Sequence, residues 1–205
     1  MTCDLSADRK GTDFEGSLDV NLTDRSGRSY CSTMLKDAVL DQSVALVVDR
    51  GLGSWSIEAV AGGARCAKGL VLYHYRSKAT LLRLTVGEIE RVRWDRRFEA
   101  IAGGTPGLEV IDRLWEAMVE DVDTGRFGAW VSLLTAGFVG TGPSRGDNFR
   151  SAVAKALGLP HESLADPASI EAMLEGMEFL LSRAPTGREG LRTGYDRLWT
   201  SMLAP

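Results

Sequence analysis

Apolar residues recur at helical spacing through most of this sequence, and this spacing is the strongest constraint on its fold. Val39, Leu46 and Val47, for example, share one face of a predicted helix, and Gly51 supplies its stop signal. No segment alternates between apolar and polar residues as a half-buried strand does. The sequence therefore predicts an all-α fold.

Two of the predicted helices are very short. Ser56 can cap a helix that ends near Ala64, and a second segment, 67–74, follows after a tight turn. Neither segment can bury an apolar face alone, so both must pack with the longer preceding helix as a three-helix unit. Ser77 then caps a long fourth helix that leads out of this unit.

The clearest break in the helical pattern lies at residues 103–106, where two glycines and a proline occur. Further amphipathic helices follow it. The last two, which start near Asp166 and Gly187, carry apolar stripes wider than the core of so small a domain needs. At 205 residues, the chain fits one large domain or two small domains that share a core.

Charge is distributed unevenly along the chain. The net charge of -4 combines a basic segment, 24–97, with acidic segments on either side, 1–23 and 98–205. A basic block of this kind favours a polyanionic partner that binds one part of the molecule. A chance fluctuation in surface charge explains the same pattern equally well, so charge alone does not identify the partner.

Cysteine and histidine are too few and too scattered for a disulfide framework or a metal site. Cys3, Cys31 and Cys66 are odd in number and far apart, and neither His74 nor His161 has a second ligand at zinc-like spacing. The amino terminus is acidic and lacks an apolar signal segment, and no uncharged run is suited to span a bilayer. We expect a cytoplasmic protein with reduced thiols.

No motif nominates a catalytic group. The sequence contains no phosphate-binding Walker loop, no nucleophile elbow and no HExxH zinc motif. We also find no pair of carboxylates isolated in an apolar setting. The chain is therefore not expected to be an enzyme or to carry a cofactor.

The segment 39–82 resembles the DNA-binding region of the tetracycline-repressor (TetR) family of bacterial transcription regulators. The resemblance depends on an ordered set of residues: Gly51, Ser56, Ala59, Ala61, Lys68, Gly69, Tyr73, His74, Tyr75, Ser77 and Lys78. It implies a helix-turn-helix domain over 30–78, after a flexible acidic tail at 1–29. A long helix would join this domain to a helical ligand-binding and dimerisation domain over 79–205.

The short segment 67–74 is the predicted reading helix, which a helix-turn-helix places in the major groove. The predicted DNA-binding residues are Ser56, Arg65, Lys68, Gly69, Leu70, Tyr73, His74 and Lys78. Leu70 either contacts a thymine methyl or packs inward, and Tyr73 either contacts a phosphate or packs. His74 contacts DNA or is an ordinary surface residue, whereas Tyr75 is expected to close the core.

The turn between the two short helices departs from the family pattern. Arg65 stands where the family usually has glycine, and Cys66 stands where a valine is common. A non-glycine residue at positive φ costs roughly 1 kcal/mol. Either Arg65 contacts DNA and offsets this strain, or Gly63 shifts the turn.

The resemblance implies that the second half forms a homodimer through its last two helices and binds a small effector. The predicted ligand-binding residues are Trp115, Met118, Trp130, Leu134, Phe138, Phe149, Met173 and Met177, which fit an ordinary packed core equally well. We expect a repressor that a hydrophobic or aromatic effector releases from a near-palindromic operator. The alternative is a dimeric DNA-binding regulator without an effector.

Overall fold

The computed structural model describes residues 26–140, 145–160, 164–184 and 186–203, with side chains from residue 33 onward. Within these ranges the chain forms helices and no strands, which confirms the all-α prediction. The helices are α1 Ser26–Arg50, α2 Ile57–Gly63, α3 Lys68–Tyr75, α4 Lys78–Ala102, α5 Glu109–Asp123, α6 Arg126–Thr135, α7 Gly146–Leu157, α8 Pro167–Arg183 and α9 Glu189–Leu203. A 3₁₀ turn at Leu52–Ser54 connects α1 to α2.

The predicted helix starts are confirmed by their caps. The side chains of Ser56, Ser77 and Asp166 accept the backbone N–H three residues ahead, over 3.0, 3.1 and 3.1 Å. Each bond satisfies one of the amides that the first turn of a helix leaves without an internal partner. Because Pro167 has no N–H, it fits the first position of α8 without losing a hydrogen bond.

Helix α1 begins at Ser26, inside the segment predicted as a tail. Residues 26–29, which were predicted to be the end of the tail, are therefore helical. The sequence did not indicate this, because the helical pattern of apolar residues begins only at Tyr30. Residues 1–25 lie outside the part of the chain that the structure describes. The flexible acidic tail stays a prediction for them.

Two hydrophobic clusters hold the helices together, and α4 contributes to both. We call them the front core, which joins α1–α4 with α6, and the rear core, which joins the second half of α4 with α5 and α7–α9. Leu82 and Val86 of α4 are buried in the front core, whereas Trp94 and Ile101 are buried in the rear core. The rigid helix α4 thus connects the short helices to the rest of the molecule. The domain limits at 78 and 79 stay a prediction.

A buried ionic cluster lies between α4, α5 and α8. We define it as Arg93, Arg97, Asp121 and Glu178, all of which are almost inaccessible to solvent. The guanidinium groups of Arg93 and Arg97 both donate to Oε2 of Glu178, the second over 2.8 Å. The apolar spacing of Leu82, Val86 and Ile89 predicts Val92 as the inward-facing residue of this turn, but Val92 is only half-buried. Arg93 and Arg97 face inward instead, because their pairing with Glu178 lets them be buried, and apolar spacing does not reveal such a pair.

The cluster brings two carboxylates into the interior, but it does not contradict the expectation that no pair of carboxylates is isolated in an apolar setting, because both are paired with arginines. Asp121 and Glu178 are both buried, and each lies close to Arg93. Their pairing with arginines explains why they are tolerated there, since an isolated buried carboxylate would be very costly.

None of the helices in the described ranges has the length and apolar character needed to cross a membrane.

Candidate nucleic-acid interface

Helix α3 is anchored by its inner face. Val71 is fully buried, and Tyr75 is buried with its hydroxyl donating to the backbone carbonyl of Lys36 over 2.6 Å. Burial, together with the nearby carboxylates of Asp37 and Asp41, raises the pKa of Tyr75 to about 12. The prediction that Tyr75 closes the core is confirmed. With this face fixed on α1, the opposite face of α3 points away from the core.

The outer face of α3 carries most of the predicted contact residues. Lys68 and Gly69 are exposed, Leu70 is 43% exposed, and Tyr73 is 68% exposed. His74 is half-buried, and its ring packs edge-on against that of Tyr73 at 5.1 Å between centroids. Leu70 and Tyr73 therefore lie on the surface rather than inward. Their contacts with DNA stay a prediction.

Lys68 already has a partner within the protein. Its ammonium group forms an exposed ion pair with Glu58 of α2, and the hydrogen bond from Lys68 lowers the pKa of the Glu58 carboxyl. An exposed pair of this kind contributes little to stability, so Lys68 can exchange Glu58 for a phosphate at small cost. Ser56, at the start of the same helix, is half-buried and uses its hydroxyl as the cap.

The turn between α2 and α3 places its positive φ on Arg65. The φ angle of Arg65 is +52°, whereas Gly63 is the last residue of α2 and does not shift the turn. The N–H of Cys66 donates to the carbonyl of Ala61 over 2.9 Å, and that of Arg65 donates to Gly62 over 3.2 Å. These two bonds form the Schellman motif, in which the left-handed position is usually glycine. Arg65 is exposed. Of the two alternatives drawn from the sequence, the structure has the one in which Arg65 itself adopts the strained, positive φ angle.

Replacing Arg65 with glycine is expected to raise the free energy of unfolding by about 1 kcal/mol, because glycine adopts this φ without strain. Arg65→Ala is the matched control, since it removes the charge but keeps the Cβ. We expect its stability to stay within a few tenths of a kcal/mol of the wild type. Urea denaturation of the three proteins measures the difference. Equal stability of the glycine and alanine variants would show that Arg65 is not strained.

Arg76 is a cation of this surface that the sequence analysis did not identify. It follows α3 with φ of +64°, and the N–H of Ser77 donates across it to the carbonyl of Tyr75 over 2.7 Å. This three-residue γ-turn is a strained arrangement for a non-glycine residue. Arg76 is exposed and forms no ion pair with any side chain that the structure describes. Arg76 is not among the residues on which the family resemblance depends, so the sequence offered no signal for it.

Lys78 lies at the first position of α4, where the helix presents unpaired amides and the positive end of its dipole. Its side chain is exposed, with Nζ 5.3 Å from the centre of the Trp55 ring. Trp55 is itself fixed, because its indole N–H donates over 2.8 Å to the hydroxyl of Ser43. The Ser43 hydroxyl also hydrogen-bonds to that of Thr85 over 2.6 Å. This buried polar chain joins α1 to α4 and holds Lys78 beside the end of α3.

The complete arrangement is a short helix with an exposed outer face, flanked by the cations Arg65, Arg76 and Lys78 and joined by α4 to a second helical core. The fold is similar to that of a TetR-family transcriptional regulator from Streptomyces coelicolor, which is 16% identical and has a TM-score of 0.58, with 82% of this chain and 97% of that chain covered. The chain has the TetR-family fold. This finding confirms the predicted resemblance and architecture.

Two further structures share the TetR-family fold. A TetR-family transcription regulator from Marinobacter aquaeolei is 15% identical with a TM-score of 0.55, covering 85% of this chain and 97% of that chain. The multidrug binding protein EbrR, complexed with imidazole, is 16% identical with a TM-score of 0.56, covering 83% and 90%. No protein-family model and none of the curated proteins matches the chain. The likeness to these three structures is a likeness of fold.

The predicted ligand-binding residues are divided between the two cores. Trp115, Met118, Phe149, Met173 and Met177 belong to the rear core. Trp130, Leu134 and Phe138 pack at the edge of the front core instead. The structure therefore does not bring the eight together around one space, and their role in ligand binding stays a prediction.

A cavity of about 440 Å³ lies elsewhere in the second half, between the end of α4 and α7. None of the eight predicted residues is among those that line it. The sequence could not predict this cavity, because its walls include a loop whose course depends on tertiary packing.

In the described part of the chain, no cluster of three or more histidine, cysteine or acidic side chains is arranged to hold a metal ion.

Proposed function

We propose that this protein is a dimeric transcriptional regulator that binds a near-palindromic DNA operator through α3 and is released from it by a small hydrophobic or aromatic effector. The observation that carries the proposal is the orientation of α3. Its inner face is locked against α1 through Val71 and Tyr75, while its outer face and the cations around it are exposed. A helix held in this way fits the major groove, with its flanking cations near the phosphates.

The division of labour among the contacts follows from their chemistry. Arg65, Arg76 and Lys78 supply positive charge, which fixes position on the duplex without reading its sequence. Lys68, Leu70 and Tyr73 project from the helix itself and are suited to contact base edges or the sugar-phosphate ridge. Three further residues complete the proposed surface. Ser56 caps α2, Gly69 lets the backbone of α3 approach the DNA closely, and the half-buried His74 supports the ring of Tyr73.

Dimerisation is supported by apolar side chains that the single chain leaves exposed on its last two helices. Phe179 of α8 is 48% exposed, and Leu198 of α9 is 45% exposed. Two chains that pair these helices would bury both residues in a four-helix bundle. A dimer is also what recognition requires, because one short helix contacts too few base pairs for useful specificity.

Effector release is supported by the cavity near the end of α4 and by the path of α4 itself. The cavity lies beside the last turn of α4, and the first turn of the same helix carries Lys78. A ligand that favours one tilt of α4 would therefore change the spacing of the two reading helices. EbrR, which has this fold, is a multidrug binding protein. A dimer bound across a promoter obstructs transcription, so we propose repression as its output.

Selection of bound duplexes from random DNA tests the proposed function directly. We expect the recovered sequences to share a near-palindrome, with half-sites separated by about one helical turn or a multiple of it. Recovery of no common sequence at low ionic strength would contradict the proposal. A single half-site would contradict the dimeric mode of binding while leaving DNA recognition intact.

Replacing Lys78 with alanine is expected to weaken binding to all duplexes and to reduce the slope of log affinity against log salt concentration by about one ion. Lys155→Ala, measured in the absence of any effector, is the matched control, because Lys155 is also exposed but lies on α7. Fluorescence anisotropy over a series of salt concentrations measures both slopes. An unchanged slope for Lys78→Ala would show that Lys78 makes no phosphate contact.

A further inference from the structure

The cavity between α4 and α7 combines apolar walls with a single charged side chain. Its lining residues are Phe98, Ile101, Ala102, Gly104, Pro106, Ala152, Lys155 and Ala156. Apart from Lys155 they are all apolar or glycine, and none is acidic. Its volume of about 440 Å³ lies in the range of small-molecule sites, most of which are apolar with a few polar groups that orient the ligand.

Lys155 supplies a cation that the described part of the protein does not neutralise. It lies in the last turn of α7, its side chain is exposed, and no described carboxylate forms an ion pair with it. The carbonyl ends of α7 and α4 carry only partial negative charge. A full charge at the rim of an apolar cavity favours an anionic ligand group.

Arg113 of α5 lies behind Gly104 and is not among the residues that line the cavity. A Cβ placed on Gly104 would stand 3.0 Å from Nη1 of Arg113. Arg113 already has partners within the protein, because its Nε donates to the carbonyl of Ala100 over 2.7 Å and its Nη1 lies 3.8 Å from a carboxylate oxygen of Glu109. Gly104 also has φ of +84°, which disfavours any larger residue there. Lys155 is therefore the cation that the cavity presents to a ligand.

We propose that this cavity binds a small amphiphilic carboxylate, with its apolar body against Phe98, Ile101 and Ala152 and its carboxylate near Lys155. The inference rests on the proposed function, since it names the chemical class of the effector. It also narrows that class. A purely apolar molecule would leave Lys155 without a partner, whereas a carboxylate accepts a strong, charge-assisted hydrogen bond from it.

Three small molecules, each with eight carbon atoms and a different polar head group, test the proposal: sodium octanoate, octanol and octylamine. Their flexible chains adapt to an irregular apolar cavity, so the head group decides the comparison. Isothermal titration calorimetry on the full-length protein is expected to give octanoate an affinity at least about tenfold higher than octanol, with octylamine the weakest. Equal affinities, a preference for octylamine or no binding of octanoate would overturn the proposal.

Two variants and a control locate the site. Lys155→Gln is expected to reduce octanoate affinity about fivefold or more while changing octanol affinity less than twofold, since only the carboxylate loses a partner. Lys36→Gln removes an equally exposed lysine from α1 and is expected to change neither. Ala152→Trp fills the cavity and is expected to abolish binding of all probes, with circular dichroism verifying that the helices are retained. Unchanged octanoate binding in Lys155→Gln would overturn the assignment.

Parallel DNA titrations separate this inference from the proposed function. DNA binding without octanoate binding would contradict the carboxylate site and leave the DNA-binding regulator intact. Octanoate binding that does not alter DNA affinity would confirm the site and contradict its role as an effector site. Octanoate binding by a protein that ignores every duplex would contradict the proposed function alone.

Discussion

Glu178→Ala is expected to lower the free energy of unfolding by about 3–5 kcal/mol, the largest effect of any single substitution proposed for this protein. Glu178 is fully buried, and its Oε2 accepts hydrogen bonds from both Arg93 and Arg97. Its removal would leave two guanidinium groups in the interior without their shared counterion. Because a whole domain is stable by only about 5–15 kcal/mol, urea denaturation would detect this loss easily.

The neighbouring groups indicate how costly the unpaired charges would be. Burial lowers the pKa of Arg93 and raises the pKa of Asp121, because the interior disfavours the charged form of each group. A charge at these positions is therefore costly unless it is paired. Asp121 lies 3.7 Å from Nε of Arg93 but hydrogen-bonds to Arg126 instead, over 3.0 Å. It therefore cannot replace Glu178 as the acceptor for both arginines.

Glu88→Ala is the matched control for Glu178→Ala. Glu88 forms an ion pair with Arg91 one turn away on the exposed face of α4, and its removal is expected to cost less than about 1 kcal/mol. Combining Glu178→Leu with Arg97→Met should recover part of the lost stability, since it removes one of the uncompensated charges together with its partner. If Glu178→Ala and Glu88→Ala cost the same, the buried cluster is not what stabilises the packing of α4 on α8.

Features of this molecule that depend on local chemistry were predictable from the sequence. The starts at Ser56, Ser77 and Asp166 were predictable because a cap depends on one side chain and the amides of the next turn. The inward orientation of Tyr75 was also predictable, from its spacing to Val71 along α3. Both kinds of information are contained within a few residues of chain.

Features that depend on distant residues were not predictable in the same way. Glu178 pairs with arginines more than eighty positions earlier, and nothing in the local pattern of α8 distinguishes it from a surface glutamate. The eight predicted ligand-binding residues are large and apolar, and the structure divides them between two cores. The hydrophobicity of a residue indicates that it is buried, but it does not indicate which other residues it packs against. Arg76 depends on a backbone angle that the residue type itself disfavours.

Substituting glutamate for both Phe179 and Leu198 is expected to convert the proposed dimer to a monomer and to weaken operator binding at least about 100-fold. The two side chains lie on the helices proposed to pair, and each would bring a charge into the centre of the resulting bundle. The large loss of DNA affinity follows from multivalency. Two linked reading helices bind a palindrome 10²–10⁴ times more tightly, in order of magnitude, than one helix binds its half-site.

Leu108→Glu combined with Val139→Glu is the matched control for the dimer variant. Both residues are large, apolar and even more exposed than Phe179, but neither lies on α8 or α9. We expect this control to remain dimeric in light scattering and to bind the operator with nearly wild-type affinity. If the control also became monomeric, the interface would lie elsewhere on the chain. If the Phe179 and Leu198 variant stayed dimeric with unchanged affinity, α8 and α9 would not be the surface that sets the distance between the two reading helices.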